Sequence, residues 1–396
     1  MIKTAVKKIL RRYCPNIPAL RKALAQGKLR EINRYTVPAS EVHRGEASAE
    51  AQAALVAEYS ERWPAHVVEL NRKLDAYLSN CDRIRNRKDI ETLRNKVLFA
   101  CLAYGFAPDE FFAYELENKT PEQRKSYISD RELTDFIYRS NDIIDIDVFL
   151  DKYKTYRRYK EYFRREAVCV EKQADYDRFQ RFVKAHPVYV KKNVMLSKGD
   201  SVELVDLTNA GDDMIRRSFE SFRFPGKYIL EERIQQSRFM SQLSLQSVNT
   251  VRVITFGNGQ EIEVGPCFLK IGRGQSFVDN AGKGGILIGI DSDTGILDTN
   301  GFNEYADEFE FHPDTKIAFK GLQLPDWPAL RALAQKLSAM TPTVRYIGWD
   351  FAHTEEGWVV VEGNGCSQMI CPQIAWKRGF KEDLVRYQKK MNFQTR

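Results

Sequence analysis

Long apolar runs, paired cysteines and glycine-rich phosphate loops are all missing from this chain of 396 residues. No run of 18 apolar residues occurs, so no segment reads as a membrane-spanning helix. The opening MIKTAVKKILRRYCP lacks the apolar stretch of a secretion signal, and the expectation is a cytoplasmic protein. Seven cysteines form no CxxC pair and have no histidine partners at metal spacing. That excludes a zinc module and a disulfide framework and leaves reduced thiols. There is no GxxxxGKS or GxxxxGKT loop, and GRGQSF (272–277) lacks the third glycine of a dinucleotide fingerprint, which disfavours both of those nucleotide folds. Repeats and low-complexity tracts are absent too. Apolar residues make up 43% of the chain, far more than a disordered segment carries, so it is expected to fold.

What is present changes character along the chain. Residues 1–34 hold much of the basic excess behind the net charge of +7. Ile2, Val6, Ile9, Leu10 and Tyr13 recur at helical spacing among Lys7, Lys8, Arg11 and Arg12. This basic amphipathic segment, taken as 1–45, is expected either to dock on the protein's own body or to touch an anionic membrane surface or a partner peripherally. Helical patterns then dominate to about 182, and residues 46–150 form a helical lobe. In DKYKTYRRYKEYFRRE, Tyr153, Tyr156, Tyr159 or Lys160, and Phe163 line one helical face opposite a basic one. Interleaved Tyr and Arg can mark a nucleic-acid surface. A stripe at helical period reads instead as core, so no nucleic-acid partner is expected. From 186 the pattern turns to short β-rich runs, giving an α+β second half. Within it, Asn258-Gly259 suits a two-residue type I′ hairpin.

The segment RYIGWDFAHTEEGWVVVEGN (345–364) predicts two strands joined by the three-residue loop Glu355-Glu356-Gly357, with glycine left-handed. If Thr354 pairs with Trp358, Asp350 falls opposite Glu362, and period-2 alternation adds Asn364 to the same face. Two carboxylates so close repel unless something positive lies between them, and hard oxygen donors of this kind suit Mg²⁺ together with nucleotide phosphates. The competing reading is a solvent-facing hairpin whose acids never meet.

Asp350, eleven intervening residues and Glu362-Gly363-Asn364 resemble the closing strands of the ATP-grasp superfamily. Further similar segments follow in the family's order over roughly residues 150–370. They are Phe149-Leu150-Asp151-Lys152, Val190-Lys191, Tyr228-Ile229-Leu230-Glu231-Glu232-Arg233-Ile234, Asn249-Thr250-Val251-Arg252 and Asn280-Ala281-Gly282-Lys283-Gly284-Gly285. The last two resemble elements of its glutamate-ligase branch, in which Lys270 takes a basic position. As a whole the chain is most similar to the ATP-grasp group associated with sugar-transfer and surface-polysaccharide genes.

That resemblance implies an ATP-grasp fold over 151–390, with subdomains of about 151–235 and 236–390 clamping the nucleotide behind the helical lobe. It implies Mg-ATP, with Mn²⁺ as the alternative ion, and a metal held by Asp350, Glu362 and Asn364. Lys152 and Lys191 would reach the phosphates, and Glu231, Glu232, Arg233 and Ile234 the adenine at an edge strand. Arg252, Lys270 and Asn280 would serve catalysis, the two cations by neutralising an acyl phosphate. The implied reaction joins a carboxylate to an amine, with a uronic-acid or amino-acid carboxylate of a bacterial polysaccharide or its precursor as the expected acceptor. A phosphotransferase and a nucleotide-responsive binding module are the alternatives. Two departures stand out: KNVMLSKGDS has one glycine where the family's phosphate-covering loop has several, and Gln235-Gln236-Ser237 lacks a ribose-binding acid. Counting from Asn258-Gly259 also puts Arg252 and Lys270 on opposite faces, unless a bulge at Gly265-Pro266 intervenes.

Overall fold

A computed structural model of the protein describes residues 17–194, 202–277, 279, 284–303, 305 and 307–392. The helical spacing expected from Ile2 to Tyr13 lies outside them, as do Asn280 and most of the glycine-poor loop after Asn193. Two compact units emerge: Met1–Ile144 with Gln368–Arg396, and Asp145–Ser367.

The first unit is helical. Its helices begin where the sequence supplies caps: Ser48 accepts a hydrogen bond from Ala51 N ahead of Ala49–Arg62, and Ser129 from Glu132 N ahead of Asp130–Ser140. The C-terminal segment is fastened into this unit by Gln373, which is fully buried. Its Oε1 accepts from Ile128 N at 2.7 Å, and its Nε2 donates to Ile128 O at 3.0 Å and to the Tyr114 hydroxyl at 2.8 Å. Residues 368–390, expected in the nucleotide domain, therefore belong to the helical unit. They contain no strand to extend a sheet, and their buried amide finds its partners among helices.

The second unit holds two antiparallel sheets. The smaller has β1 (Ala167–Val170), β2 (Val188–Asn193), β3 (Glu203–Asp206) and β4 (Tyr228–Glu232) in the order β1-β4-β2-β3. Helices Tyr176–Ala185 and Asp212–Glu220 cover one of its faces because Phe179, Phe182 and Val183, and Ile215 and Phe219, recur at three- and four-residue spacing over Tyr189 and Leu230. Strand β1 falls inside the stretch read as helix. The larger sheet contains β5 (Thr250–Gly257), β6 (Ile262–Ile271), β7 (Ile286–Ile290), β8 (Leu297–Phe302), β9 (Glu308–Phe309), β10 (Tyr346–Thr354) and β11 (Gly357–Asn364), ordered β11-β10-β5-β6-β7-β8-β9. Helix Lys152–Phe163 packs along β11, and its aromatic stripe is core: Tyr156, Tyr159 and Phe163 are buried, with Tyr159 edge-on to Trp349 at 5.0 Å.

Two turns and two bulges set the registers. The loop after β5 has four residues, not two. Asn258 Oδ1 accepts from Gln260 N and Glu261 N, and Asn258 avoids the positive φ that a type I′ turn demands. Residues Gly265-Pro266 stand opposite Ile254 alone, which is the expected bulge. The β10–β11 hairpin differs from its expected form twice. Thr354 pairs with Gly357, whose φ of 101° suits glycine, so the loop is one residue shorter. Val361 is then an extra residue between Phe351↔Val360 and Asp350↔Glu362, so the two departures cancel at Asp350.

The extra residue has a dedicated partner. Buried Arg165 donates from Nη1 to Val360 O at 2.6 Å and from Nη2 to Val361 O at 3.3 Å, and Nη2 also reaches Glu231 Oε2 of the small sheet at 3.3 Å. Replacing it in Arg165→Met leaves buried carbonyls unmet, and an expected loss of about 3–5 kcal/mol in unfolding free energy follows. Urea denaturation checks this; a loss below about 0.5 kcal/mol, the scatter of an ordinary surface substitution, would mean the bulge stands without it.

Candidate functional site

Directly paired positions lay a row of charge across the large sheet. Glu362 on β11 faces Asp350 on β10, and Asp350 faces Arg252 on β5. Thr250 on β5 faces Lys270 on β6, and Thr250 lies two residues from Arg252, so the bulge at Gly265-Pro266 puts Lys270 on the Arg252 face. Asn364 shares the Glu362 face, and its Oδ1 accepts from Cys366 N at 2.9 Å. Asp350, Glu362, Asn364, Arg252 and Lys270 thus share one face of the sheet, the bulge having brought Lys270 to it.

The charges are closely matched. Arg252 grips Asp350 with both arms, Nε to Oδ1 at 2.6 Å and Nη2 to Oδ2 at 2.8 Å, while its Nη1 donates to Ser367 Oγ at 3.0 Å. Lys270 Nζ lies 3.2 Å from Asp350 Oδ2. Lys152, in the first turn of its helix behind the capping carboxylate of Asp151, comes within 3.5 Å of Glu362 Oε1. Asp279 adds a third acid, accepting from the amide and the hydroxyl of Thr250. Burial opposes ionisation of Asp350, but Arg252 and Lys270 overcome it and hold the carboxyl at about 2. Burial pushes Asp279 up despite Lys270. Lys270 is raised: burial works against its charge, and Asp279 and Asp350 outweigh it. Repulsion between Asp350 and Glu362 is therefore already offset by protein cations. The carboxylate pair alone does not demand a divalent ion.

The donor set still fits one. Among the described residues no three His, Cys, Asp or Glu converge on a point. Here two carboxylates face each other across a strand pair and the third oxygen is an amide, a hard set of the kind Mg²⁺ shares with phosphates. The 3.5 Å contact of Lys152 is the longest of these ion pairs.

On the small sheet the residues sort differently. Lys191 faces the helix-covered side, paired with Glu203 at 2.7 Å and stacked over Phe222 at 5.0 Å. Lys192 is the lysine on the Glu231 face, with Nζ 2.6 Å from Glu231 Oε2. Strand parity gives the reason: Val190 pairs with Glu231, and Lys192, two residues on, shares its side. Buried Glu231 also meets Arg165, and these cations hold it at about 2 against the effect of burial. β4 is no edge strand, being paired to β1 and β2 on its two sides. Glu232 is occupied within the sheet, its Oε2 accepting from Glu166 N at 3.1 Å. The chain leaves the sheet at Arg233, exposed, and Ile234, half-buried. Arg165 joins this face to β11 one residue from Glu362, so one guanidinium links Glu231 of the small sheet to the strand that carries Glu362.

Lys192, Arg165 and Asp279 were not singled out by sequence. Lys192 follows from parity with Glu231 only once the β2–β4 register is known, and Asp279 was legible from its place beside Asn280. Arg165 follows a helix end and carries no motif.

With Asp350 and Glu231 both held near 2, below ordinary values of 3.8 and 4.5, the native state resists protonation. Their stabilisation is complete above about pH 4.5 and drains away as pH falls towards 2, because the unfolded chain binds protons first. The urea midpoint is expected to fall over that window, less steeply in Asp350→Asn; a flat midpoint would contradict the pairing.

The profile of a family described as sugar-transfer associated ATP-grasp matches residues 131–389, more than half of the chain. Among solved structures the chain resembles the ATP-grasp ligase PsnB complexed with a minimal precursor (10% identity, TM-score 0.39, 64% of this chain and 63% of that one). It also resembles D-alanyl-alanine synthetase A from Vibrio cholerae (12%, 0.39, 62% and 65%) and the ATP complex of D-alanine–D-alanine ligase from Bacillus anthracis (13%, 0.37, 64% and 69%). It spans less than two thirds of the first two chains, and similarity this low carries no argument about chemistry. No curated protein matches.

Proposed function

Because the chain belongs to the sugar-transfer associated ATP-grasp family, we propose that it is a Mg-ATP-dependent ligase joining a carboxylate to an amine through an acyl phosphate. The acceptor we assign is a carboxylated sugar, a polysaccharide precursor or an amino acid. The row Glu362, Asp350, Arg252, Lys270 carries this reading, since it sets an oxygen donor set beside two buried cations on one face.

Magnesium held by Asp350, Glu362 and Asn364 would neutralise phosphate oxygens and align them for transfer. The protein's own groups do the rest. Lys152, freed from Glu362, and Lys192, on the Glu231 face, bind phosphate oxygens. The backbone beyond Glu232, where Arg233 and Ile234 leave the sheet, takes the adenine. Arg252 and Lys270 are fixed by Asp350 and Asp279, so they meet charge developing on a transferred phosphoryl group without reorganising. Preorganisation of this kind is where such chemistry gains most of its rate, and it explains why the cations are buried.

Melting of the purified protein with Mg-ADP, with and without EDTA, tests the nucleotide site. At a hundred times its dissociation constant a native-state ligand stabilises by about 2.7 kcal/mol, so a clear magnesium-dependent rise is expected, lost in Glu362→Gln. No rise under saturating nucleotide favours a binding module that has lost the site. With candidate carboxylates, ATP and hydroxylamine, the expected product is the hydroxamate of a trapped acyl phosphate. A phosphorylated product stable to hydroxylamine would replace ligation by phosphotransfer.

A further inference from the structure

The helical unit carries a cavity of about 450 Å³ lined only by its own residues. The floor is apolar, with Val37, Val42, Ala103 and Phe106 all buried. The wall is basic: Arg124, Lys125, Arg131 and Lys381 line it against a single lining carboxylate, Glu132. Two of these cations are matched. Lys381 Nζ lies 2.5 Å from Glu132 Oε1, and Lys125 Nζ lies 2.9 Å from Glu46 Oε1. Neither arginine meets a carboxylate among the described residues. Arg124 Nε donates to Leu116 O at 3.0 Å, and Arg131 Nη1 to Tyr35 O at 3.1 Å. Arg124 also meets the hydroxyl of Tyr104; a guanidinium has five N–H donors, so one or two neutral acceptors still leave part of each fork unused by these contacts.

Local sequence builds this arrangement. Helix Ile90–Tyr104 ends in Gly105 with φ 80°, and a Cβ there would come within 2.6 Å of Arg131 Nε. Glycine alone lets the guanidinium lie against the helix end. Burial lowers the Arg131 proton affinity even though Glu132 and Asp135 pull the other way, the mark of a cation short of compensation. Arg131 and Glu132 also sit in the first turn of helix Asp130–Ser140, whose dipole adds positive potential at the same wall.

We propose that this cavity binds a small organic anion, its carboxylate or phosphate forked by Arg124 and Arg131 and its C–H face resting on Val37, Val42 and Phe106. The size falls in the range of small-molecule sites, about 300–1,000 Å³. Planar forks suit both oxyanions, and an apolar floor suits the face of a ring rather than a bare ion. The site is built wholly within the helical unit and stands whether or not the ligase reading does.

Calorimetric titration of the full chain with glucuronate, glucose 6-phosphate, inorganic phosphate and neutral glucose tests it. Saturable, salt-sensitive binding of glucuronate or glucose 6-phosphate is expected, with no heat from glucose, and the tighter of the two identifies the oxyanion. Arg131→Gln and Arg124→Gln should each weaken it about tenfold or more, the scale of a charge-assisted hydrogen-bond pair. Should Arg131→Gln fail to fold, Arg124→Gln carries the test, with its unliganded melting temperature as control. Absence of saturable binding, binding of inorganic phosphate as tight as that of the sugar acids, or affinity unchanged in a folded Arg124→Gln overturns the proposal.

Discussion

Asp350 is a buried carboxylate, and the registers around it answer to that fact. An ion out of water costs several kcal/mol unless its counter-charges arrive in good geometry. Arg252 arrives from β5 by direct pairing, and Lys270 from β6 only because Gly265-Pro266 absorb one residue. Glu362 arrives from β11 only because Val361 absorbs another. A one-residue slip at either place turns a whole strand over, sending the charge into the core face and an apolar residue into the site. The bulges are therefore part of the electrostatics. So is Arg165, which gives the carbonyl displaced at Val361 a buried donor and carries the same guanidinium to Glu231.

Legibility in the sequence followed the range of the interactions involved. The Asp350↔Glu362 pairing was readable because a hairpin fixes register locally, though it was reached through a loop one residue too long and a bulge not foreseen. The bulge at Gly265-Pro266 was readable because both residues weaken a ladder. Strand β1 was not. Four residues between amphipathic helices offer too little alternation to be seen, and only pairing with β4 makes them a strand. That pairing also turned the supposed edge strand into a central one. Lys191 was named and Lys192 was not, because finding the lysine beside Glu231 needs the β2–β4 register that no local signal supplies.

The same residues alter how the proposed metal site is to be understood. Adjacent acids usually argue for a cation between them, yet here Arg252, Lys270 and Lys152 already supply three positive charges to Asp350, Glu362 and Asp279. On the proposed reading, binding of a magnesium nucleotide would be an exchange of partners and not the filling of an electrostatic void. Exchange favours the contact that is longest and least buried, which is Lys152 with Glu362; Glu362 is the more exposed of the two facing acids. On the same reading the bidentate Arg252–Asp350 pair would stay, keeping Arg252 fixed for charge that develops later.

Ser367 closes the larger sheet's unit and the next residue opens the returning helical segment. Its hydroxyl accepts from Arg252 and its carbonyl from the Tyr346 hydroxyl at 2.9 Å, so the chain leaves the site fixed to the residue that grips Asp350. A few residues later Gln373 is locked by four buried hydrogen bonds in the helical unit. A stretch pinned so closely at both ends cannot be cut without leaving buried polar groups unmet on one side. The family match agrees with this, beginning at residue 131 inside a helix of the first unit and ending at 389 inside another. The matched span is thus larger than the sheet-bearing unit, and Arg131 and Lys381 on the wall of the helical cavity lie within it.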